Sequence, residues 1–311
     1  MSSQTTSIIL MIRPVAFGFN PQTAGSNAFQ DAGFGLATQH EAQTIALKEF
    51  DTMVAGLRAS GVIVIVVEDT PEPHTPDSIF PNNWISFHDD GSVVLYPMQA
   101  PNRRLERRLE ILDSLEEDFE ITQEIDLSSF EEIEQYLEGT GSMVLDRVHR
   151  KAYACLSPRT HQAVLNQFAE VMDYEIVAFE SVDGDGKQIY HTNVVMCIGE
   201  KFAVICLDTI LDTTIRASVE ASLVAIGKEV IPISLAQMNQ FAGNMLEVKN
   251  DKDEALLVMS SCAYNSLLPE QLEALSRYCS IQHFDLSMIE GNGGGSARCM
   301  MAEVHLPLRE L

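Results

Sequence analysis

Residues 291–305 read GNGGGSARCMMAEVH. The glycine run predicts a mobile backbone segment, and Cys299-Met300-Met301-Ala302 has the apolar texture of a buried strand. A strand so late in the chain needs a partner, and a matching apolar run, IILMIR at 8–13, stands near the other end. Pairing Cys299–Val304 with Ile8–Arg13 closes the chain on itself and makes everything between them part of one ring. The same stretch puts a thiol at a loop-to-strand junction. Glycines there let the main chain approach a ligand, and the Arg298 guanidinium beside the thiol would favour a thiolate.

Working outward, a helical pattern covers 39–59, with an apolar stripe of Ile45, Phe50, Met53, Val54 and Leu57, and Val62–Val67 reads as a fully buried strand. A hairpin, a helix and a strand then follow one another repeatedly. Hairpins are predicted at 84–87 with 93–96, at 143–145 with 152–156, at 194–198 with 202–206, and at 245–248 with 256–259. The helices after them cover 102–115, 160–172, 213–225 and 269–278, and the strands 120–125, 175–179, 229–233 and 281–285. Hairpins starting roughly every 50 to 60 residues signal a repeated supersecondary unit. The expected fold is α/β: a five-bladed α/β propeller of ββαβ units with pseudo-fivefold symmetry. It would form a single domain over 1–311, the first and last strands closing the fifth blade. A doubly wound open sheet would leave the hairpins unexplained.

Composition narrows the function. With 46% hydrophobic residues the chain builds a substantial core, and a formal net charge of −25 argues against nucleic acid and anionic membranes as partners. The first residues lack a basic region followed by an apolar stretch, and the longest aliphatic run, Gly61–Val67, is too short to span a bilayer, so a cytoplasmic protein is expected. The six cysteines, at 155, 197, 206, 262, 279 and 299, form no CxxC, which predicts reduced thiols. Cys155, Cys197, Cys206 and Cys262 sit in strand-like runs and read as core packing. No His-x-x-x-His or clustered Cys/His spacing supports a metal, and the glycine run lacks the lysine and helix of a P-loop.

The informative polar residues stand just before each hairpin: Asn82 and Asn83, Glu138, His191 with Asn193, Asn244, and Cys299. In a propeller such positions point toward the central axis. Together they offer a nucleophile, an acid or base, a carboxylate and several amides.

DSIFPNNW at 77–84, EGTGSMV at 138–144, LSPRT around Arg159, HTNV at 191–194 and GGGSARCMM at 293–301 carry a family resemblance across most of the chain. The chain resembles the guanidino-group modifying enzymes, the pentein superfamily, and most of all the amidinotransferase-like citrulline utilisation hydrolases. The resemblance implies a pentein propeller with a Cys-His-Glu catalytic set and no cofactor. Cys299 matches the nucleophile, His191 the acid/base and Glu138 the carboxylate that orients the histidine. Arg159 matches an arginine that holds a substrate α-carboxylate, with Arg103 and Arg104 in support and Arg298 and Asn82 near the substrate. Members acting on a guanidinium generally carry aspartates where this chain has Asn83 and Asn193. Two amides suit a neutral ureido group better, although Asp77 keeps an anion near the head group.

The expected activity is cysteine-dependent hydrolysis of the ureido group of citrulline to ornithine, ammonia and carbon dioxide. The alternatives are an arginine deiminase or dihydrolase, or another guanidino-group hydrolase; and, in a different class, a catalytically silent pentein that serves as a binding module. The partner expected is a small amino-acid substrate, and the sequence leaves room for a homo-oligomer.

Overall fold

The computed structural model describes residues 3–27, 29–30 and 38–309. Fifteen strands form five three-stranded sheets. In chain order they are β1 (Ile8–Arg13), β2 (Ile63–Glu68), β3 (Ile85–Phe87), β4 (Ser92–Leu95), β5 (Gln123–Asp126), β6 (Val144–Asp146), β7 (Lys151–Cys155), β8 (Glu175–Phe179), β9 (Met196–Ile198), β10 (Phe202–Ile205), β11 (Glu229–Pro232), β12 (Leu246–Lys249), β13 (Ala255–Ser260), β14 (Ser280–Phe284) and β15 (Ala302–Glu303). Every sheet has the same plan: an antiparallel pair, then a third strand parallel to the middle one. That is the ββαβ unit repeated five times in a pseudo-fivefold ring. The fifth blade is made from both ends of the chain, with Ile9 opposite Glu303 and Leu10 opposite Ala302 in antiparallel register.

Middle strands are buried on both faces, which explains their unbroken apolar runs, such as FAVI in β10 and LLVM within β13. The third strand of each blade lies further out and is only partly covered. Helices cover the blades; the longest, α1 (Gln39–Ala59), starts with a Thr38–Glu41 capping box and packs Phe50, Met53, Val54 and Leu57 inward.

Several local expectations are corrected. Residues 62–67 are not a fully buried strand: β2 is an outer strand in which Ile63 is 52% exposed. Ile45 is not in the apolar stripe; Ala42 and Ala46 are, and Ile45 faces solvent. The helix expected over 102–115 is two short ones, α2 (Pro101–Arg104) and α3 (Glu110–Leu115). Cys155, Cys197 and Cys206 are buried as expected, whereas Cys262 lies half-buried on the helix Ser261–Ser266. The glycine run is only partly a loop: Gly291 and Gly293 end a helix, Ser287–Gly293, Gly294 and Gly295 follow it, and the strand expected from Cys299 begins at Ala302, after a 3-10 turn over Ala297–Met300. Glu49 of α1 accepts hydrogen bonds from Met288 and Ile289 N–H at 2.9 and 3.0 Å and so caps that helix, which stops at Gly294 in the left-handed conformation (φ 66°). No helix among the described residues is long and apolar enough to cross a membrane.

Candidate active site

Short turns precede the inner hairpin strands, and their side chains meet on one cavity. A 3-10 turn (Pro81–Asn83) precedes β3, a helical turn (Gly139–Ser142) precedes β6, another (Thr192–Val195) precedes β9, and a 3-10 turn (Ala297–Met300) carries Cys299 toward β15. The cavity measures about 20 Å³ and is lined by Asp77, Asn83, Arg103, Arg159, His191 and Cys299, among others. A cleft of about 950 Å³ opens beside it and shares Tyr190, but contains neither the thiol nor the imidazole. The thiol and the imidazole belong to the small cavity.

Glu138, His191 and Cys299 are 0, 3 and 5% exposed. Glu138 Oε2 meets His191 Nε2 at 2.9 Å and Arg159 Nη1 at 3.4 Å. A carboxylate can only accept, so Nε2 carries the proton and Nδ1 keeps its lone pair. Burial alone would raise the Glu138 carboxyl, but Arg159, His191 and Arg103 outweigh it and hold it well below the carboxylate range. Burial lowers the imidazole of His191 to about 4, against the opposing pull of Glu138. At neutral pH the resting pair is therefore a neutral imidazole on an ionised carboxylate. Gly141 permits the approach of the blades here, because a Cβ would overlap Asn83 Nδ2 and come within 2.9 Å of the His191 ring.

Arg103 is buried and forks onto Glu106 with two contacts of 2.9 Å. Its Nη1 donates to Asn83 Oδ1 at 2.9 Å, which fixes the Asn83 amide and leaves Nδ2 without a partner among the described residues. Asp77 Oδ2 accepts from Asn20 at 2.7 Å, and its Oδ1 is likewise unpartnered. Three buried carboxylates (Asp77, Glu106, Glu138) thus face two guanidiniums (Arg103, Arg159). Burial pushes up the carboxyls of Asp77 and Glu106, the latter to about 8, and Arg103 only partly offsets it.

The remaining predicted residues divide. Arg159 lies 4.8 Å from the Tyr190 ring centre and donates to Ser26 Oγ at 2.7 Å and Thr23 O at 3.2 Å, which belong to a strap, residues 20–27, tied down across the cavity. Asn193 Nδ2 is 3.5 Å from the Cys299 sulfur. Asn82 is buried with both side-chain polar atoms unpartnered, but it is not among the residues lining the cavity. Arg104 turns to the carbonyls of Met98 and Gln99. Arg298 is placed away from the thiol it was expected to serve: it donates to Met301 O and Glu303 Oε2, both at 2.8 Å. A carboxylate five residues on captures it and braces the turn between Cys299 and β15. Glu106, Gly141 and Tyr190 were not identified from sequence; an Arg-x-x-Glu spacing at 103–106 was the available signal for the first.

Solved structures share this fold. No curated protein sequence matches the chain. In fold, it is similar to the complex of AgrE with L-arginine (TM-score 0.75, 18% identity, covering 97% of this chain and 41% of that one). It is also similar to the substrate-bound N-terminal domain of ArgZ, an arginine dihydrolase from the ornithine-ammonia cycle in cyanobacteria (TM-score 0.74, 17% identity, 96% and 98% covered). A third likeness is to a dimethylarginine dimethylaminohydrolase adduct with S-methyl-L-thiocitrulline (TM-score 0.63, 13% identity, 96% and 99%). The chain spans only 41% of the length of the longer ArgZ chain. A family model described as N,N dimethylarginine dimethylhydrolase, eukaryotic, matches residues 13–306. With a ring of five ββαβ blades around a cysteine, a histidine and a glutamate, the chain belongs to that family, within the guanidino-group modifying pentein superfamily of C–N hydrolases.

Proposed function

We propose that the protein hydrolyses the guanidino group of free L-arginine, removing both terminal nitrogens and ending in ornithine. The observation that carries this reading is a pair of unpartnered polar atoms, Asp77 Oδ1 and Asn83 Nδ2, on residues lining the same cavity as Cys299 and His191. One is an acceptor for substrate N–H groups, and the other is a donor for which an oxygen on the reacting carbon is a fitting partner. Arginine brings the N–H groups that the unpartnered Asp77 Oδ1 lacks. The oxygen arrives on the same carbon once water has added. The likeness to ArgZ, an arginine dihydrolase, supports this choice over citrulline as the starting substrate.

In the first half-reaction the Cys299 sulfur bonds to the guanidino carbon and the bond to a terminal nitrogen breaks. His191 passes the thiol proton to the departing ammonia, leaving an S-alkylthiouronium on the enzyme. His191 then takes a proton from water, the oxygen adds to the same carbon, and the C–S bond breaks to return the sulfur and a ureido product. A second attack on the ureido carbon expels the second ammonia. Hydrolysis of the resulting thiocarbamate gives an N-carboxylate that loses carbon dioxide to leave ornithine. Glu138 keeps the imidazole in the tautomer used in each transfer, and Arg159 exchanges its strap contacts for the substrate α-carboxylate.

Citrulline as the physiological substrate is the second reading. It is favoured by Asn83 Nδ2, which a ureido oxygen would satisfy from the outset. Purified protein given arginine, citrulline or dimethylarginine, with Cys299→Ala as blank, separates these readings. Ornithine with two ammonia per arginine supports the proposal. Citrulline accumulating from arginine makes the protein a deiminase, ornithine from citrulline alone establishes the second reading, and turnover of dimethylarginine alone overturns both.

A further inference from the structure

The sulfur of Cys299 lies against amides rather than a cation. We propose that Asn244 is the fixed half of an amide cradle that holds this sulfur as a thiolate, a catalytic role that rests on Cys299 being the nucleophile. Asn244 is fully buried at the end of the turn before β12, and its Nδ2 lies 3.3 Å from Cys299 Sγ. Its orientation is set by two backbone contacts. Oδ1 accepts the Arg298 N–H at 3.1 Å, and Nδ2 donates to Asn193 O at 3.0 Å. Reversing the amide would break both, so the nearer group to the sulfur is the NH₂; Oδ1 lies further off at 3.7 Å, where it accepts from the protonated thiol. Asn193 supplies the other half, with Nδ2 at 3.5 Å from the sulfur, but its Oδ1 has no partner and nothing else fixes its amide.

The backbone is built to deliver Asn244. Phe241 sits at φ 61°, in the left-handed region that non-glycine residues avoid, and Asn244 N donates back to Phe241 O at 2.8 Å. A Cβ at Gly243 would run into the carbonyl of Val194, next to Asn193. Strain and close packing thus fix one amide group against one sulfur. One preorganised N–H dipole, from Asn244, with the Asn193 amide as a second donor, stabilises a thiolate in a buried site without adding a charge to it, as donors do elsewhere for oxyanions. The ionisable groups around the cavity are Asp77, Arg103, Arg159, Glu138, His191 and Tyr190, and none is hydrogen-bonded to the sulfur.

The test measures the rate at which iodoacetamide alkylates Cys299 as a function of pH, read by mass spectrometry of the peptide that contains it, with no substrate present. Asn244→Asp keeps an oxygen for the Arg298 N–H while replacing the donor to the sulfur and to Asn193 O by an anion. Asn244→Ala removes both contacts. We expect the midpoint of alkylation to rise by about one pH unit in Asn244→Ala and by more in Asn244→Asp. At neutral pH the alkylation rate and kcat would each fall roughly tenfold, with KM little changed. A midpoint unchanged in a folded Asn244→Asp protein overturns the proposal, whatever happens to kcat. Because the readout needs no turnover, the cradle can stand even if arginine proves the wrong substrate, and a failed cradle leaves the substrate assignment untouched.

Discussion

Glu138 Oε2 accepts the Nε2–H of His191 at 2.9 Å, across two neighbouring blades and with both groups out of water. Replacing the carboxylate by an amide of the same shape removes the charge that favours an imidazolium during proton transfer and permits the wrong tautomer. Glu138→Gln is expected to lower kcat by about 10²- to 10⁴-fold with little change in KM, checked by steady-state ammonia release. Retention of more than a third of kcat would place the tautomer under some other control.

Gly141 is predicted to be as sensitive as a catalytic residue although it carries no chemistry. In Gly141→Ala the methyl would push Asn83 and the His191 ring apart. A loss of at least about 100-fold in kcat/KM is expected, together with a destabilisation of about 1–3 kcal/mol from overpacking. Urea unfolding and turnover measured on one preparation separate the two effects.

Asn83→Asp keeps an oxygen facing Arg103 but removes the donor reserved for an oxygen on the reacting carbon. Loss of one buried donor is expected to slow the ureido step by about 10- to 100-fold more than the guanidino step. Arginine should then be converted largely to citrulline, which product analysis reads directly. Unchanged product ratios would remove Asn83 from the ureido step.

Stability should respond to pH in two opposed ways. Burial raises the carboxyls of Glu49 and Glu290 to about 7 from the ordinary carboxyl value of 4.5, so between those values the folded state holds protons that the unfolded chain has released. Stability therefore falls as pH rises through that window, by roughly 3 kcal/mol for each group at most. His191 acts with the opposite sign. Its lowered value of about 4, against 6.5, means that stability is lost as pH falls through that range. Melting curves from about pH 5 to about pH 8 on wild type and Glu290→Gln check the first effect: the variant should lose less stability on alkalinisation.

The ring was legible in the sequence because each blade announces itself locally: an alternating hairpin, an amphipathic helix and a further apolar strand. The positions of Glu138, His191 and Cys299 before those hairpins were legible for the same reason. What escaped was set by contacts distant in sequence. The glycines after Gly291 read as a loop because glycine disfavours helices, and the carboxylate that caps their helix comes from Glu49, 239 residues before Met288. Arg298 was assigned to the thiol beside it, because adjacency in sequence does not reveal a turn that points neighbouring side chains in opposite directions. The orientation of Asn244 was beyond reach for a similar reason, since its amide is set by groups on two other blades, whereas Asn83 is set by Arg103 within its own unit. Cys262 was placed in a strand because its apolar neighbours SSCAY do not distinguish a strand end from the short helix that follows it.

The pairing of β1 with β15 has a further consequence. Asn83, Glu138, His191 and Asn244 lead into the four blades built from consecutive strands, β3–β5 through β12–β14, whereas the sulfur lies three residues before the strand that seals the ring. As the chain emerges from synthesis, the amides, carboxylate and imidazole can all be assembled before any nucleophile exists among them. Pairing of β15 with β1 closes the ring and brings the proposed nucleophile to the other groups, so on this reading the site is completed in the same step as closure.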